Sequence, residues 1–312
     1  MSATNATKDS LLVAEDVWRS FGAAPALQGV GFTATAGEVT GLVGPNGAGK
    51  TTLLLILATL LAPDRGLVRI GGHDPMRDQL QVRKILGWVP DTFGFYENLT
   101  AHEYLGFAGA ARRLSAPSAQ ARATELLDVV HLDAYSAQPV HVLSRGQKQR
   151  LAFASALVHR PSVLLLDEPA AGLDPASRAD LLNLVRRLAS DGAAVVISSH
   201  QLADLEQTAD RVVFVDHGTT VGERRVGDDV RSTAPRRWRI RSLDNRALAN
   251  ALAALQVSGI QVAAGGVDVL VDSDEAVADL IASLVGRGIR VVSCAPLESS
   301  LEASYFELTA AE

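Results

Sequence analysis

The sequence contains a single cysteine, Cys294, in 312 residues. One cysteine excludes an internal disulfide and any zinc site that is built from several cysteines. Long apolar segments are also missing, because the strongest apolar run, residues 53–62, contains Thr59 and is far shorter than the roughly 20 residues that span a bilayer. The first ten residues, MSATNATKDS, lack the basic start and apolar core of a secretory signal. We therefore expect a chain that stays in the cytoplasm and does not cross a membrane.

Positive charge is scarce as well. Lys and Arg number 29 against 35 Asp and Glu, a formal net charge of -6, and no long basic stretch stands out. A nucleic-acid partner is therefore not expected. Hydrophobic residues at 47% and charged residues at 21% are typical of a folded globular protein rather than a disordered one. A length of 312 residues favours two domains.

The first two thirds of the chain alternate between strand and helix patterns. Short strands are predicted over residues 11–43, the last of them an apolar strand that runs into a glycine-rich turn, and a helix begins near Lys50. Residues 101–133 have helical spacing and predict a helical insert. A helix over residues 145–159 leads to the apolar strand VLLLD, and the strand AAVVISSH follows a further helix. This alternation predicts an α/β fold with a parallel sheet.

A polar, charged segment, residues 222–235, marks the predicted domain boundary. The residues after it predict the order β-α-β-β-α-β, which is a ferredoxin-like arrangement. In the tail, Leu297, Leu301 and Tyr305 lie four residues apart and predict a closing amphipathic helix. We therefore predict two domains, residues 11–225 and residues 235–312, with a helical subdomain at about residues 91–160 of the first.

A phosphate-binding loop is predicted between the apolar strand and the helix that begins near Lys50. Its glycines let backbone N–H groups close around phosphate oxygens, and the helix start adds its positive dipole end. Lys50 would reach the outer phosphates, and the Thr51 hydroxyl would bind magnesium. A glycine-rich turn without a ligand is the alternative, which the flanking strand and helix disfavour. The predicted nucleotide-binding residues of this segment are Gly44, Pro45, Asn46, Gly47, Ala48, Gly49, Lys50, Thr51 and Thr52.

Two adjacent acids, Asp167 and Glu168, end the later apolar strand. Carboxylates at the end of a buried strand are costly without a cation or a reacting partner. Asp167 suits magnesium, and Glu168 suits a water molecule. An apolar strand that ends in two acids is common by itself, but together with the phosphate loop upstream it indicates hydrolysis of a nucleoside triphosphate.

The segment Leu143-Ser144-Arg145-Gly146-Gln147 resembles the signature sequence of the ABC ATPase family, which other phosphate-loop enzymes lack. The resemblance covers most of residues 11–220. In chain order it includes Phe21, the phosphate loop, the signature, Asp167 with Glu168, Gly172-Leu173-Asp174 and His200. It implies an α/β phosphate-loop NTPase core of the ABC ATPase type with a helical subdomain. The sequence adds a small α+β ferredoxin-like C-terminal domain.

The resemblance also implies how these residues act on ATP and Mg²⁺. Two copies of the chain would form a head-to-tail homodimer, in which the signature of one copy covers ATP on the phosphate loop of the other. Glu168 would polarise the attacking water, and His200 would contact the terminal phosphate. Asp167 and Thr51 would hold the metal, and Asp174 would link the two sites across the interface.

Three of these residues have plainer interpretations. Phe21, which would stack on adenine, is otherwise an aromatic of the core. Ser144 is otherwise a helix N-cap, although one residue can fill both roles. His200 is otherwise an ordinary histidine at a strand end, but its place in the series of motifs favours the functional interpretation.

Two residues depart from the family pattern. Asp91 stands where glutamine is usual, at the metal site and near the membrane partner. Its carboxylate either binds the metal or weakens ATP binding through its negative charge. Arg145 stands where glycine is usual in the signature and adds a cation near the covered phosphate. Ser144, Gly146 and Gln147 are intact, so we expect activity to survive.

Transport is favoured over the other tasks of this family. The segment between Lys50 and Ser144 is too short for the long inserts of DNA-repair members, and residues 91–100 resemble the surface that receives a coupling helix. The C-terminal extension is similar to ATPase subunits of bacterial exporters for drugs, lipids or polysaccharides. The first hypothesis is therefore an exporter ATPase beneath separate membrane-spanning subunits, peripheral on the cytoplasmic face. An importer ATPase is the second hypothesis, and a soluble ABC ATPase that acts on nucleic acid or ribosomes is the third.

Overall fold

A computed structural model describes residues 10–226, 236–263 and 265–297, together with residues 301, 305 and 308. The chain divides into two compact units, Met1–Val226 and Gly227–Glu312. Each unit contains its own sheet and its own hydrophobic core.

The first unit contains nine of the strands and seven of the α-helices that the structure describes. The strands are β1 (Ser10–Phe21), β2 (Ala24–Thr35), β3 (Val39–Val43), β4 (Arg65–Ile70), β5 (Leu86–Val89), β6 (Val163–Asp167), β7 (Ala194–Ser198), β8 (Arg211–Asp216) and β9 (Thr219–Arg225). The helices are α1 (Lys50–Leu57), α2 (Gln79–Ile85), α3 (Ala101–Ala111), α4 (Ala116–Val129), α5 (Arg145–Leu157), α6 (Pro175–Ser190) and α7 (Leu202–Thr208).

The central sheet has six strands in the order β5-β6-β7-β3-β8-β9. The first five are parallel to their neighbours, and β9 is antiparallel to β8. Every residue of β3, β6 and β7 is buried, which explains their continuous apolar sequences. The predicted α/β core with a parallel sheet is confirmed. Since parallel strands all end at one edge, the segments that follow β3, β6 and β7 lie side by side.

A smaller antiparallel sheet, β2-β1-β4, packs over this core. Strands are present over residues 11–43 as predicted, but β1 and β2 have 12 residues each and are longer than the short strands expected there. The reason is an irregularity at Asp16, which has a φ of +48° and lies where the pairing of β1 with β2 shifts register. The buried residues Leu12 and Ala14 are therefore followed by Val17 rather than by residue 16, and the break in alternation hides one long strand.

Helix α1 lies in the core between the two sheets. Its residues Leu53, Leu54, Ile56 and Leu57 have no exposed surface. They cluster with buried residues of both sheets, so the helix is apolar on almost all sides. This burial accounts for the apolar run after Lys50, and it fixes the start of α1 against the end of β3.

The helical part of the unit consists of α3, α4 and α5. Helix α3 packs against α4, and both contact α5. Thr100 caps α3 and Ser115 caps α4 through side-chain oxygens that accept backbone N–H groups. No helix in the described ranges combines the length and the apolar character needed to cross a membrane.

The second unit contains β10 (Arg236–Ser242), α8 (Asn245–Ala254), β11 (Ser258–Ala263), β12 (Gly266–Val271), α9 (Asp274–Gly286) and β13 (Val291–Pro296). The sheet order is β11-β12-β10-β13, and all neighbours are antiparallel. The predicted β-α-β-β-α-β order is therefore confirmed. Ile240, Leu248, Leu252, Val267 and Val269 form the centre of its core, with no exposed surface.

The predicted tail helix falls mostly on residues outside the described part. Leu301, Tyr305 and Leu308 have helical backbone conformation, whereas Leu297 directly follows β13 in a bend. Residues 227–235, which carry most of the predicted domain boundary, also lie outside the described ranges.

Replacing Gly66 by alanine tests the packing of β4 against the irregular part of β1. Gly66 has a φ of +105°, and an added Cβ would lie 2.3 Å from the Asp16 carbonyl oxygen. Gly192 has a φ of +103°, but its Cβ would meet nothing within 4 Å, so Gly192→Ala is a matched control for backbone strain. We expect Gly66→Ala to lower the free energy of unfolding by about 1 to 3 kcal/mol more than Gly192→Ala, measured by denaturant titration. Equal losses would contradict this contact.

Candidate functional site

The loop after β3 requires glycine for two different physical reasons. Gly47 and Gly49 have φ values of +86° and +101°, in the region that favours glycine. At Gly44 the reason is packing, because an added Cβ would lie 2.0 Å from the Val215 carbonyl oxygen. Pro45, Asn46 and Gly47 are exposed, so the outer part of the loop faces solvent, where a ligand can approach its backbone.

Lys50 is held over this loop at the start of α1. Its side chain is only 8% exposed, and its Nζ donates to the carbonyl oxygens of Gly44 at 2.7 Å and Pro45 at 3.0 Å. Burial lowers the pKa of the Lys50 ammonium, while the nearby carboxylates of Glu168 and Asp167 oppose that shift. Thr51 is exposed and Thr52 half-buried in the first turn of α1. The start of α1 thus contributes a buried cation beside the loop and an exposed hydroxyl.

Asp167 ends β6 and is buried, with 2% of its surface exposed. Its Oδ1 accepts a hydrogen bond of 2.5 Å from the Ser198 hydroxyl at the end of β7. Its Oδ2 is buried and has no hydrogen-bond partner among the described residues. A buried carboxylate oxygen without a donor is costly unless a cation is present, so this atom fits a metal ion.

Glu168 follows Asp167 with a left-handed backbone, at a φ of +49°. Its backbone N–H donates to the Ser198 carbonyl oxygen at 3.2 Å and to the Ser198 hydroxyl at 3.1 Å. Its Oε2 lies 2.8 Å from Nδ1 of His200, which is 55% exposed. Burial raises the pKa of the Glu168 carboxyl, and the hydrogen bond with His200 opposes that increase. The structure therefore brings the predicted loop, both acids and the histidine together.

The signature segment is stabilised by its own helix cap. The Ser144 hydroxyl accepts from the Gln147 backbone N–H at 3.3 Å, and Gln147 Oε1 accepts from the Ser144 backbone N–H at 2.8 Å. Leu143 is buried, whereas Arg145 is exposed and lies against Gly172, whose Cβ would be 3.4 Å from the guanidinium carbon. Ser144 is thus an N-cap, as its plainer interpretation predicts.

The chain itself does not join the signature to the phosphate loop. Among the described residues, no hydrogen bond or ion pair connects residues 143–147 with residues 44–52. Asp174 is the N-cap of α6, since its Oδ1 accepts from the backbone N–H groups of Ala176 at 3.1 Å and Ser177 at 3.0 Å. The hydrogen bonds that Ser144, Gln147 and Asp174 form in the described ranges are therefore with the starts of their own helices rather than with the phosphate loop.

Phe21 and Asp91 are both exposed. Phe21 ends β1 with 52% of its surface exposed, so it is not a core aromatic, and the Arg19 guanidinium lies 5.1 Å from its ring centroid. An exposed ring with a cation on one side is suited to stacking. Asp91 lies two residues after β5, and none of the hydrogen bonds within the described ranges involves its side chain.

Two residues of the site, Ser198 and Gln149, are not predicted by the sequence patterns. Ser198 contacts both acids, and Gln149 is 4% exposed and donates to the backbone carbonyl of Glu168 at 3.3 Å. The sequence feature that could have indicated them is a polar residue inside an apolar strand or on the apolar face of a helix. Neither partner follows from that signal, because both contacts join segments distant in sequence.

Comparison with known proteins finds matches along the whole chain. The model of the ABC transporter family matches residues 27–171. The daunorubicin resistance ATP-binding protein DrrA3 of Streptomyces coeruleorubidus is 32% identical over 304 residues, which cover 96% of both chains. The linearmycin resistance ATP-binding protein LnrL of Bacillus subtilis (strain 168) is 34% identical over 211 residues, 68% of each chain.

Solved structures share this fold over about 70% of the chain. A structure of the ATP-binding subunit of an ABC transporter has a TM-score of 0.65 at 30% identity and covers 70% of this chain and 91% of that one. The dimeric structure of the ATP-binding cassette MJ0796 in a post-hydrolysis state, bound to ADP and Pi, has a TM-score of 0.64 at 27% identity. It covers 69% of this chain and 98% of that one.

Replacing Ser198 by alanine tests the hydroxyl that joins the two acids. The change leaves Asp167 Oδ1 buried without its donor, so we expect the free energy of unfolding to fall by about 1 to 3 kcal/mol. Thr40 is the matched control, because its hydroxyl is equally buried and has no partner within the described part of the chain. Thr40→Val should be neutral or stabilising in the same denaturant titration. A Ser198→Ala protein as stable as Thr40→Val would contradict this assignment.

Proposed function

We propose that this chain, which belongs to the ABC transporter family of ATP-binding proteins, is the ATPase subunit of a drug exporter. As a member of that family, it binds and hydrolyses ATP to power transport. The observation that supports ATP hydrolysis is a cluster of four side chains at one edge of the sheet, those of Lys50, Asp167, Glu168 and His200. The resistance proteins DrrA3 and LnrL support export, and the first of them matches both units of this chain.

ATP lies on the phosphate loop in this proposal. Backbone N–H groups of residues 44–52 bind the phosphates, Lys50 neutralises the outer ones, and Phe21 stacks on adenine. Thr51 and Asp167 hold Mg²⁺, which supplies positive charge to the phosphate oxygens when bound. Within the described residues no three His, Cys, Asp or Glu side chains form a metal-binding group, so the remaining oxygen ligands come from phosphate and water. We also assign Asp91 to the contacts with bound ATP.

Hydrolysis depends on where the Glu168 carboxylate points. It accepts a hydrogen bond from the attacking water, so that the water faces the terminal phosphate. His200 holds the same carboxylate at 2.8 Å and, with half of its surface exposed, also reaches the phosphate. Catalysis then consists of positioning and charge neutralisation.

The functional unit is a homodimer. The signature residues that contact ATP on the partner are Leu143, Ser144, Arg145, Gly146 and Gln147. Within the described ranges they form no hydrogen bond with their own phosphate loop, which leaves them available for the partner. Asp174 lies beside them at the start of α6 and belongs to the same interface. The dimeric MJ0796 structures support a homodimer.

Residues 11–225 are the ATPase domain, with a helical subdomain at about residues 91–160, and residues 235–312 are an accessory domain. The membrane-spanning subunits are separate chains. They dock beside Tyr96 and Phe107, which are 61% and 48% exposed and whose rings lie 4.9 Å apart. Exposed neighbouring aromatics favour a protein contact. The chain is thereby held peripherally on the cytoplasmic face of the membrane.

Replacing Glu168 by glutamine tests the function directly. The amide keeps the size of the carboxylate but accepts the water's hydrogen bond poorly, so phosphate release should fall by about 100-fold or more while ATP still binds. Light scattering should show an ATP-dependent dimer, since bound ATP is no longer consumed. Glu15→Gln, at an exposed position of β1, is the matched control and should hydrolyse ATP at the wild-type rate. A Glu168→Gln protein with wild-type phosphate release would contradict the assigned role.

The pH dependence of hydrolysis reports the environment of Glu168. Burial raises the pKa of this carboxyl above its ordinary value, and the proposed role needs the ionised form, so activity should fall as pH drops through the raised pKa. The hydrogen bond from His200 lowers that pKa, so His200→Ala should move the acidic limb of the pH–rate profile to higher pH. His102→Ala, on α3 beside Thr124, should leave the limb in place. A limb that stays in place or moves to lower pH in His200→Ala would contradict this electrostatic balance.

A further inference from the structure

Gln149 is a buried polar residue for which the proposed mechanism has no use. It lies in the second turn of α5 and is 4% exposed. The other buried residues of that helix are apolar, namely Leu151, Ala152, Phe153, Ala154, Ala156 and Leu157. An amide in such surroundings is unfavourable unless its donors find acceptors. The position of those acceptors therefore indicates what the side chain does.

Both acceptors belong to the turn that carries the catalytic carboxylate. Gln149 Nε2 donates to the Glu168 carbonyl oxygen at 3.3 Å and to the Pro169 carbonyl oxygen. Carbonyl oxygens only accept, and the amide NH2 group has two donors, so this orientation of the amide satisfies both carbonyls. One side chain of α5 thus binds two consecutive peptide groups after β6.

The backbone at Glu168 needs such support. A left-handed φ on a non-glycine residue is unfavourable and persists only where surrounding contacts impose it. Within the turn, the Ala171 N–H donates to the Glu168 carbonyl at 3.1 Å. From outside the turn, Ser198 on β7 holds the N–H of Glu168, and Gln149 on α5 holds its carbonyl. The direction of the Glu168 side chain is set between these two contacts, one from the sheet and one from the helical part of the unit.

We propose that Gln149 is a positioning residue for ATP hydrolysis, which aims the Glu168 carboxylate by holding its backbone from α5. The proposal rests on the role assigned to Glu168. Helix α5 begins directly after Ser144, in the signature segment that contacts ATP bound to the partner. A displacement of α5 moves the donor of both hydrogen bonds, so contact with nucleotide at the start of α5 is coupled to the carboxylate of the same chain.

Gln149→Met removes both donors at nearly constant volume. We expect kcat per ATP-binding chain to fall by about tenfold, while KM and the affinity for a fluorescent ATP analogue stay within about twofold, because the phosphate loop is untouched. Gln149→His places a ring N–H near the former amide nitrogen and should recover part of the loss. Gln120→Met, at an exposed position of α4, is the control and should match wild type.

Titration with the fluorescent ATP analogue counts the chains that are folded and able to bind nucleotide, so kcat is expressed per binding chain. The melting temperature of each variant is measured as well. A role limited to stability lowers the melting temperature and the number of binding chains, but leaves kcat per binding chain unchanged and gives no recovery by histidine. That pattern overturns the proposal. Glu168→Gln separates the two levels: if it is inactive while Gln149→Met is fully active, only the role of Gln149 is wrong. If Glu168→Gln is active, the role of Glu168 is wrong.

Hydrogen exchange gives a reading that does not depend on turnover. In the full chain without nucleotide, the peptide that spans residues 164–174 should exchange faster in Gln149→Met than in Gln120→Met. The Pro169 carbonyl loses its side-chain donor, and the Glu168 carbonyl keeps only the N–H of Ala171. Equal exchange in the two variants overturns the proposed support of the Glu168 backbone.

Discussion

The site depends on the parallel pairing of β3, β7 and β6. Leu42 of β3 lies opposite Ser198 of β7, and Ser198 lies opposite Asp167 of β6. Because the three strands run in the same direction and in this register, they end together, and the chain leaves each of them at the same edge. The phosphate loop, the two acids and the His200 segment are neighbours for that reason alone. Every residue of these strands is buried, so a shift of register would disturb the packing on both faces of the sheet.

The charges at this edge are balanced only in part. One ammonium group, that of Lys50, is buried beside two carboxylates, those of Asp167 and Glu168. Burial lowers the pKa of the lysine and raises the pKa of Glu168, while the attraction between them opposes both shifts. Asp167 Oδ2 remains without a donor in the described part of the chain. Such a site is suited to a divalent cation and to phosphate groups, whose negative charge is neutralised by the cation and by Lys50.

Contacts between helices extend this arrangement away from the sheet. Arg150, next to Gln149 on α5, donates to the Ser177 hydroxyl at 2.7 Å in the first turn of α6. The next residue of α6, Arg178, donates to the Gln201 side chain and lies 3.8 Å from Asp204 Oδ1 of α7. The signature helix, the helix capped by Asp174 and the segment after His200 are thus linked in series. The catalytic edge and the proposed dimer surface therefore share one set of polar contacts within the chain.

The sequence by itself determined the α/β core, the β-α-β-β-α-β order of the second unit and the residues gathered at the sheet edge. These follow from local patterns: continuous apolar strands, helical spacing, and motifs in a fixed order along the chain. The full length of β1 did not follow from its alternation, because the backbone irregularity at Asp16 breaks the pattern that marks a strand. Only the tertiary structure decided that Ser198 joins both acids and that Gln149 holds the Glu168 backbone. It also decided that burial shifts the pKa of Lys50 and that of Glu168. These contacts and pKa shifts depend on which distant segments of the sequence pack together, and local sequence patterns do not determine that.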